Sequence, residues 1–282
     1  MSIKKKLVWV TDIHLDWLTE PNTNIISESR VRDYCQEILS KQPNWVVITG
    51  DISTATSIEV HLMWLEKYLP DIPIYFVLGN HDYYYGSIPE VRSRIQKYNG
   101  VKTRTQWLNV TPIVKLTEKT CLIGHDGWYD GGYGNWFKSK LIMTEYQVTE
   151  DFRFQPPLVV HHRLQELSQQ CADHIEKYVP SAVNVYGYKN IIFATHVPPF
   201  KENTRAPNRN ISDSNWLPNM SSKKAGDALL KVAKAYPQVS FTCLSGHTHT
   251  FWKQKYSHNL VCYTGEADYG NPKAHIEVLE IE

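Results

Sequence analysis

Five short runs of β-branched and aromatic residues recur along the chain, at residues 7–11, 45–49, 74–78, 191–195 and 239–244, each ending in a polar or glycine break. They are apolar without alternation, as strands must be when other layers cover both of their faces. Between them, residues 31–39, 58–69, 158–179 and 225–236 place apolar side chains at helical spacing. This alternation of strand and helix predicts a layered α/β fold. Residues 260–264 and 275–281 read as closing strands. The 282 residues make one elaborated domain over 1–282, in which the stretch from about 83 to 190 breaks the rhythm. That stretch carries a glycine-rich aromatic loop at 127–137 and a helix opened by Pro157, and a second irregular stretch, 198–219, reads as a loop over one face.

The residues at the ends of these five runs constrain the chemistry. Asp12 and His14 come after the first, Asp51 after the second, Asn80, His81 and Asp82 after the third, His196 after the fourth, and Gly246-His247-Thr248-His249 after the fifth. A single Asp after a strand is an ordinary turn former or cap, and a single His an ordinary core or surface residue. Five such sites at the carboxyl ends of strands, where α/β sheets bind ligands, point to hard oxygen and imidazole donors gathered around metal. In Asp12-x-His14 and His247-x-His249 an extended backbone would turn both side chains to one side. Gly50, Gly79 and Gly246 each precede a candidate ligand and would permit tight turns there.

These blocks, Asp12-x-His14, Gly50-Asp51, Gly79-Asn80-His81-Asp82, His196 and Gly246-His247-Thr248-His249, resemble the ordered motifs of the calcineurin-like metallophosphoesterase superfamily, over residues 7 to 265 or so. The resemblance implies a four-layer α/β/β/α sandwich of two mixed β-sheets flanked by helices, with an inserted lid-like segment. It implies a dinuclear centre in which Asp12, His14 and His249 bind one ion, Asn80, His196 and His247 bind the other, and Asp51 bridges them. His81 would be an outer catalytic histidine that hydrogen-bonds the phosphate or protonates the leaving oxygen. The implied activity is hydrolysis of a phosphomonoester or phosphodiester by a hydroxide bridging the ions, which offset the phosphate charge and acidify water. His and Asp donors suit Mn, Fe, Zn or Co. Asp82 reads as support for the turn.

The protein Ser/Thr phosphatases of that superfamily extend the second block as Gly-Asp-x-x-Asp-Arg-Gly. Here it reads Gly50-Asp51-Ile52-Ser53-Thr54-Ala55-Thr56, without the second Asp or the Arg, so that branch is disfavoured. A cation to meet transition-state charge must come from elsewhere, with Lys201, Arg205 and Arg209 as candidates. Tyr83, beside the third block, and Trp128 and Tyr129, in the glycine-rich loop, are candidate substrate contacts, the loop being either a lid or a satellite core. Residues 83–110 hold Arg92, Arg94, Lys97, Lys102 and Arg104 against Glu90 alone. That excess leaves a nuclease acting on nucleic acid as an alternative to a small phosphorylated substrate.

Thirty Lys plus Arg against twenty-nine Asp plus Glu leave a net charge of +1, so any polyanion contact is local. The five cysteines, Cys35, Cys121, Cys171, Cys243 and Cys262, include no C-x-x-C pair, which argues against a disulfide framework or a zinc knuckle. With no apolar run long enough for a bilayer, the expected location is the cytoplasm. A non-catalytic scaffold is the remaining alternative, and it conflicts with the retention of all seven ligand-type positions.

Overall fold

The apolar runs form strands whose two faces are buried against different partners. In the computed structural model, which describes residues 4–101, 104–206, 208 and 210–282, the chain runs β1 (Lys5–Val10), α1 (Glu28–Ser40), β2 (Trp45–Thr49), α2 (Ile58–Tyr68), β3 (Ile74–Val77), α3 (Ile88–Asn99), β4 (Thr105–Trp107), β5 (Val114–Lys115) and β6 (Thr120–Gly124). It continues through α4 (Glu145–Val148), α5 (Pro157–Asn184), β7 (Asn190–Ala194), α6 (Lys223–Ala235), β8 (Ser240–Ser245), β9 (Trp252–Ser257), β10 (Leu260–Thr264) and β11 (Glu277–Ile281).

Two sheets result, ordered β11-β1-β2-β3-β4 and β5-β6-β7-β8-β10-β9. Both are mixed. Strands β1 to β4 run parallel with β11 antiparallel at one edge, and β6, β7, β8 and β10 run parallel between antiparallel β5 and β9. Side-chain alternation along β1 shows the layering. Leu7 and Trp9 point inward and pack with Val47 and Val77 against Leu122, Ile192 and Leu244 of the second sheet. Val8 and Val10 point outward, joining Val46, Ile48 and Phe76 under Val31, Leu62, Leu65, Val91 and Ile95 of α1, α2 and α3. The outer face of the second sheet, with Ile123, Phe193 and Phe241, packs on Ile175, Val179, Leu229 and Val232 of α5 and α6. The fold is therefore the expected four-layer sandwich, and each layer boundary is a continuous apolar contact.

The helix starts arise from local chemistry. Ser27, Ser87 and Ser222 accept hydrogen bonds from the amides of Arg30, Glu90 and Ala225, satisfying donors that the first turns of α1, α3 and α6 leave open. Residues 83–190 are only partly an elaboration. They include β4 and β6, which are members of the two sheets, so the added structure is the stretch between β6 and α5. Three- and two-residue strands such as β4 and β5 are too short to register a period, and β9 alternates as a half-exposed edge strand does.

One buried carboxylate ties the two sheets together. Asp126, after β6, is fully buried and accepts hydrogen bonds from the Leu78 amide (2.8 Å), Trp107 Nε1 (2.7 Å), Tyr83 Oη (2.9 Å) and Asn109 Nδ2 (2.9 Å). The Arg92 guanidinium lies 3.3 Å away and balances its charge. Removing one member of such a group strands the others without partners. We expect Asp126→Ala to lower unfolding free energy by about 3–5 kcal/mol in urea titrations, with Asp126→Asn costing less.

Candidate metal centre

The carboxyl ends of β1, β2, β3, β7 and β8 meet at one edge of the sandwich, and their loops are stitched to each other through the backbone. The Asp12 and His14 amides donate to the Gly50 and Asp51 carbonyls (3.0 Å each), and the Gly246 amide donates to the His196 carbonyl (2.8 Å). Asp12 (φ 48°), His14 (φ 38°), Asp51 (φ 50°), His247 (φ 71°) and His249 (φ 53°) are all left-handed. The expectation that extended alternation aims the Asp12/His14 and His247/His249 pairs is therefore corrected. Each side chain is aimed by a single strained turn, a conformation costly for non-glycine residues and typical of sites whose surroundings hold them in place. The glycines make room for this. A methyl group on Gly79 would collide with the Asp51 carboxylate, and one on Gly246 with Thr11 and Asp12.

All seven expected ligand positions converge, in two abutting groups. Asp12, His14, Asp51 and His249 each offer a donor atom within 4.8 Å of the others. Within that group His14 Nε2 is 3.4 Å from His249 Nε2, and His249 Nε2 is 3.2 Å from Asp12 Oδ1. In the second group, Asn80 Oδ1 is 2.9 Å from both His196 Nε2 and His247 Nδ1. Asp51 faces both groups, with Oδ2 4.0 Å from His14 Nε2 and Oδ1 3.4 Å from His196 Nε2.

The protonation pattern tests whether this set fits a metal. His196 Nδ1 lies 2.9 Å from the Thr49 carbonyl, and His247 Nε2 lies 2.9 Å from the Asn219 carbonyl. A carbonyl only accepts, so those nitrogens carry the protons and the opposite nitrogens present lone pairs. Asn80 Nδ2 donates to Tyr84 Oη (3.1 Å), which turns Asn80 Oδ1 inward as well. Three acceptors thus face one another with no hydrogen between them, an arrangement that a cation satisfies. Burial holds His247 and His14 down to about 3, so both are neutral donors. Burial, then the charges of Asp12 and Asp82, push the Asp51 carboxyl well up, the mark of negative charge lacking a counter-ion. The residues fit a pair of divalent ions.

His81 sits beside this edge, its ring stacked on Tyr84 (4.2 Å between centroids, 26°) and Nε2 3.9 Å from Asp51 Oδ2. Burial, then His14, lower its pKa to about 2. Asp82 accepts from the amides of Ile52, Ser53 and Gly79, fixing the second and third loops together as support for the turn.

The candidate substrate contacts fare differently. Tyr83 is fully buried and directed at Asp126, and Trp128, 2% exposed, packs on Tyr83 and Phe152, so neither faces the site. Tyr129 is also fully buried, stacked near His247 (5.8 Å, 28°). These three are corrected to core residues. Arg205 does line the cleft over the centre, its guanidinium 3.8 Å above the Trp252 ring. Arg209 and Lys102 lie outside the described residues. The basic stretch is largely committed internally: Arg92 pairs with Asp126, Arg94 with Glu59 and Glu90, and Arg104 with Glu66.

Glu145 and Tyr269 carry no signal of their roles in the sequence. Glu145 of α4 is fully buried and accepts from Tyr129 Oη (2.7 Å) and Tyr84 Oη (3.1 Å), anchoring the tyrosine that orients Asn80. Tyr269 lays its ring over His14 (4.4 Å) and His249 (5.0 Å) at the mouth of the site. Since second-layer partners of a metal ligand are worth about 10–100-fold in affinity, Tyr84→Phe should weaken one of two metal-binding steps by roughly that factor in calorimetric titration of the metal-free protein, sparing the other. Gly79→Ala should abolish the pairing of sites, which metal stoichiometry would read.

Comparison with known proteins agrees with this geometry. A crystal structure of a dimetal phosphatase from Danio rerio superposes with a TM-score of 0.59 at 14% identity, over 98% of this chain and 92% of that one. The Thermus thermophilus protein TT1561 superposes at 0.51 and 11% identity, over 99% of this chain and 100% of its own. Both show a shared fold. No curated protein matches the sequence. The family model for calcineurin-like phosphoesterases matches residues 5–251, and the chain therefore belongs to the calcineurin-like phosphoesterase family as a metal-dependent hydrolase of phosphoric esters.

Proposed function

We propose that the protein hydrolyses a small phosphomonoester or phosphodiester at a dinuclear centre, with Asp12, His14 and His249 holding one ion, Asn80, His196 and His247 the other, and Asp51 shared between them. The observation that carries this reading is the way Asp51 directs one carboxylate oxygen to each ligand group, 4.0 Å from His14 Nε2 and 3.4 Å from His196 Nε2. When bound, the ions supply Lewis acidity, neutralising phosphate charge and acidifying water near neutral pH.

The protein's own groups do the rest. The Thr49 and Asn219 carbonyls keep His196 and His247 in the tautomers that leave their inner nitrogens bare. Tyr84 and His14 hold the His81 ring by its face and edge, at 4.2 Å and 4.5 Å between centroids, so that Nε2 is presented beside Asp51 where a phosphate oxygen would lie. A neutral His81 donates a hydrogen bond there. An arriving phosphate, by its charge, favours the protonated ring that can pass a proton to the leaving oxygen. With Arg92, Arg94 and Arg104 in internal ion pairs, the support for a nucleic-acid substrate in that stretch is withdrawn.

Chelation should abolish hydrolysis of p-nitrophenyl phosphate and bis-p-nitrophenyl phosphate, with recovery on adding Mn²⁺. Asp51→Asn should lose bound metal, whereas His81→Ala should keep two ions per chain and lose about 10²–10⁴-fold in kcat. Full turnover by a protein stripped of metal would overturn the proposal.

A further inference from the structure

A cleft of about 570 Å³ opens from the ligand edge at Asp51, Asn80 and His247. That volume accommodates more than a phosphate, and lies within the roughly 300–1,000 Å³ of small-molecule sites. Away from the ligands its walls change character. One side is the strap of Leu141, Ile142 and Met143 leading into α4, and the other presents Trp216 and Met220 from the loop before α6. Ile142 is 70% and Trp216 45% exposed, apolar surface left open beside a polar centre.

From these walls we propose that the esterified group of the substrate is a neutral, planar aromatic one, seated between the 141–143 strap and Trp216. The inference rests on the phosphoesterase reading above. Indole and thioether surfaces complement an aromatic ring by stacking and sulfur–ring contact. Apart from histidines, Arg205 is the one cation among the described residues of the cleft, and Asp213 sets a carboxylate in the same lining. A polyanionic substrate would find little beyond the metal centre to balance its further charges.

The cleft is also a slot of fixed width. At the metal end the strap is anchored by Glu145, which accepts from Tyr84 and Tyr129. At the outer end it is tied across to the opposite wall: Ser139 Oγ donates to the Asn215 carbonyl (2.6 Å) and the Lys140 amide to Asn215 Oδ1 (2.6 Å). Both ends being held, the slot selects a rigid flat group over a flexible chain, because little ordering cost remains on binding.

The test uses alkoxide leaving groups of similar basicity, so that chemistry does not mask binding: ethyl, n-octyl and 2-(2-naphthyl)ethyl phosphates, as monoesters and as methyl diesters, with the metal-loaded protein. The naphthylethyl ester should exceed both others in kcat/KM by about tenfold or more, chiefly through KM. Trp216→Ala should collapse that ratio and Trp216→Phe should retain most of it. Independently of turnover, calorimetric binding of 2-(2-naphthyl)ethylphosphonate should weaken about tenfold in Trp216→Ala. Preference for the octyl ester, or equal use of the ethyl ester, would overturn the aromatic assignment while leaving phosphoester hydrolysis intact. Binding of the phosphonate through Trp216 without hydrolysis of any ester would uphold the aromatic slot and overturn the phosphoesterase reading. Failure of the phosphonate to bind would overturn the slot itself.

Discussion

Around Asn80 Oδ1, two imidazole nitrogens stand 2.9 Å away with their lone pairs turned inward, and much of the surrounding architecture serves to keep them so. Left alone, such acceptors would repel, rotate or take up protons. Each alternative is closed by a partner fixed elsewhere in the fold: the Thr49 carbonyl at the end of β2, the Asn219 carbonyl in the loop before α6, and the Tyr84 hydroxyl. Burial then removes the option of charging, since an imidazolium in that setting has lost its hydration. The site is thus built by denying its side chains every state except the metal-binding one.

The sequence revealed the ligands more readily than the means that aim them. The five strand ends could be read because their runs are purely apolar and the residue after each is chemically conspicuous, as with Asp51 after Gly50 or His196 after Thr195. The four-layer arrangement followed from the same alternation. The left-handed turns at Asp12, His14, Asp51, His247 and His249 could not be read, because nothing in those residue types announces a positive φ. They depend on neighbouring loops that donate and accept across the edge.

The three tyrosines after His81 illustrate the same limit. The turn over His81–Tyr83 sends Tyr83 into the core, brings Tyr84 back beneath His81, and leaves Tyr85 63% exposed. Adjacency in sequence gave all three an equal claim on the site, and only one lies in it. Glu145 was invisible for another reason. It lies 61 residues from Tyr84, on a four-residue helix too short to show any period, and it matters only through two hydroxyl groups. Trp128 and Tyr129, which looked like material for a mobile lid, are instead the packing beneath it, while the cleft wall is made of less conspicuous residues such as Met143 and Met220.

The ligand set draws on both sheets, Asp12, His14, Asp51 and Asn80 from the first and His196, His247 and His249 from the second. An ion shared across that boundary is a clasp between the two halves of the chain, closing loops as long as the 235 residues that separate His14 from His249. It can bind tightly only once the halves have docked, so its binding free energy is added to that of the sandwich itself. Metal supply would then govern the lifetime of the folded chain as well as its chemistry, and a cell short of the ion would hold less of the protein as well as a less active one.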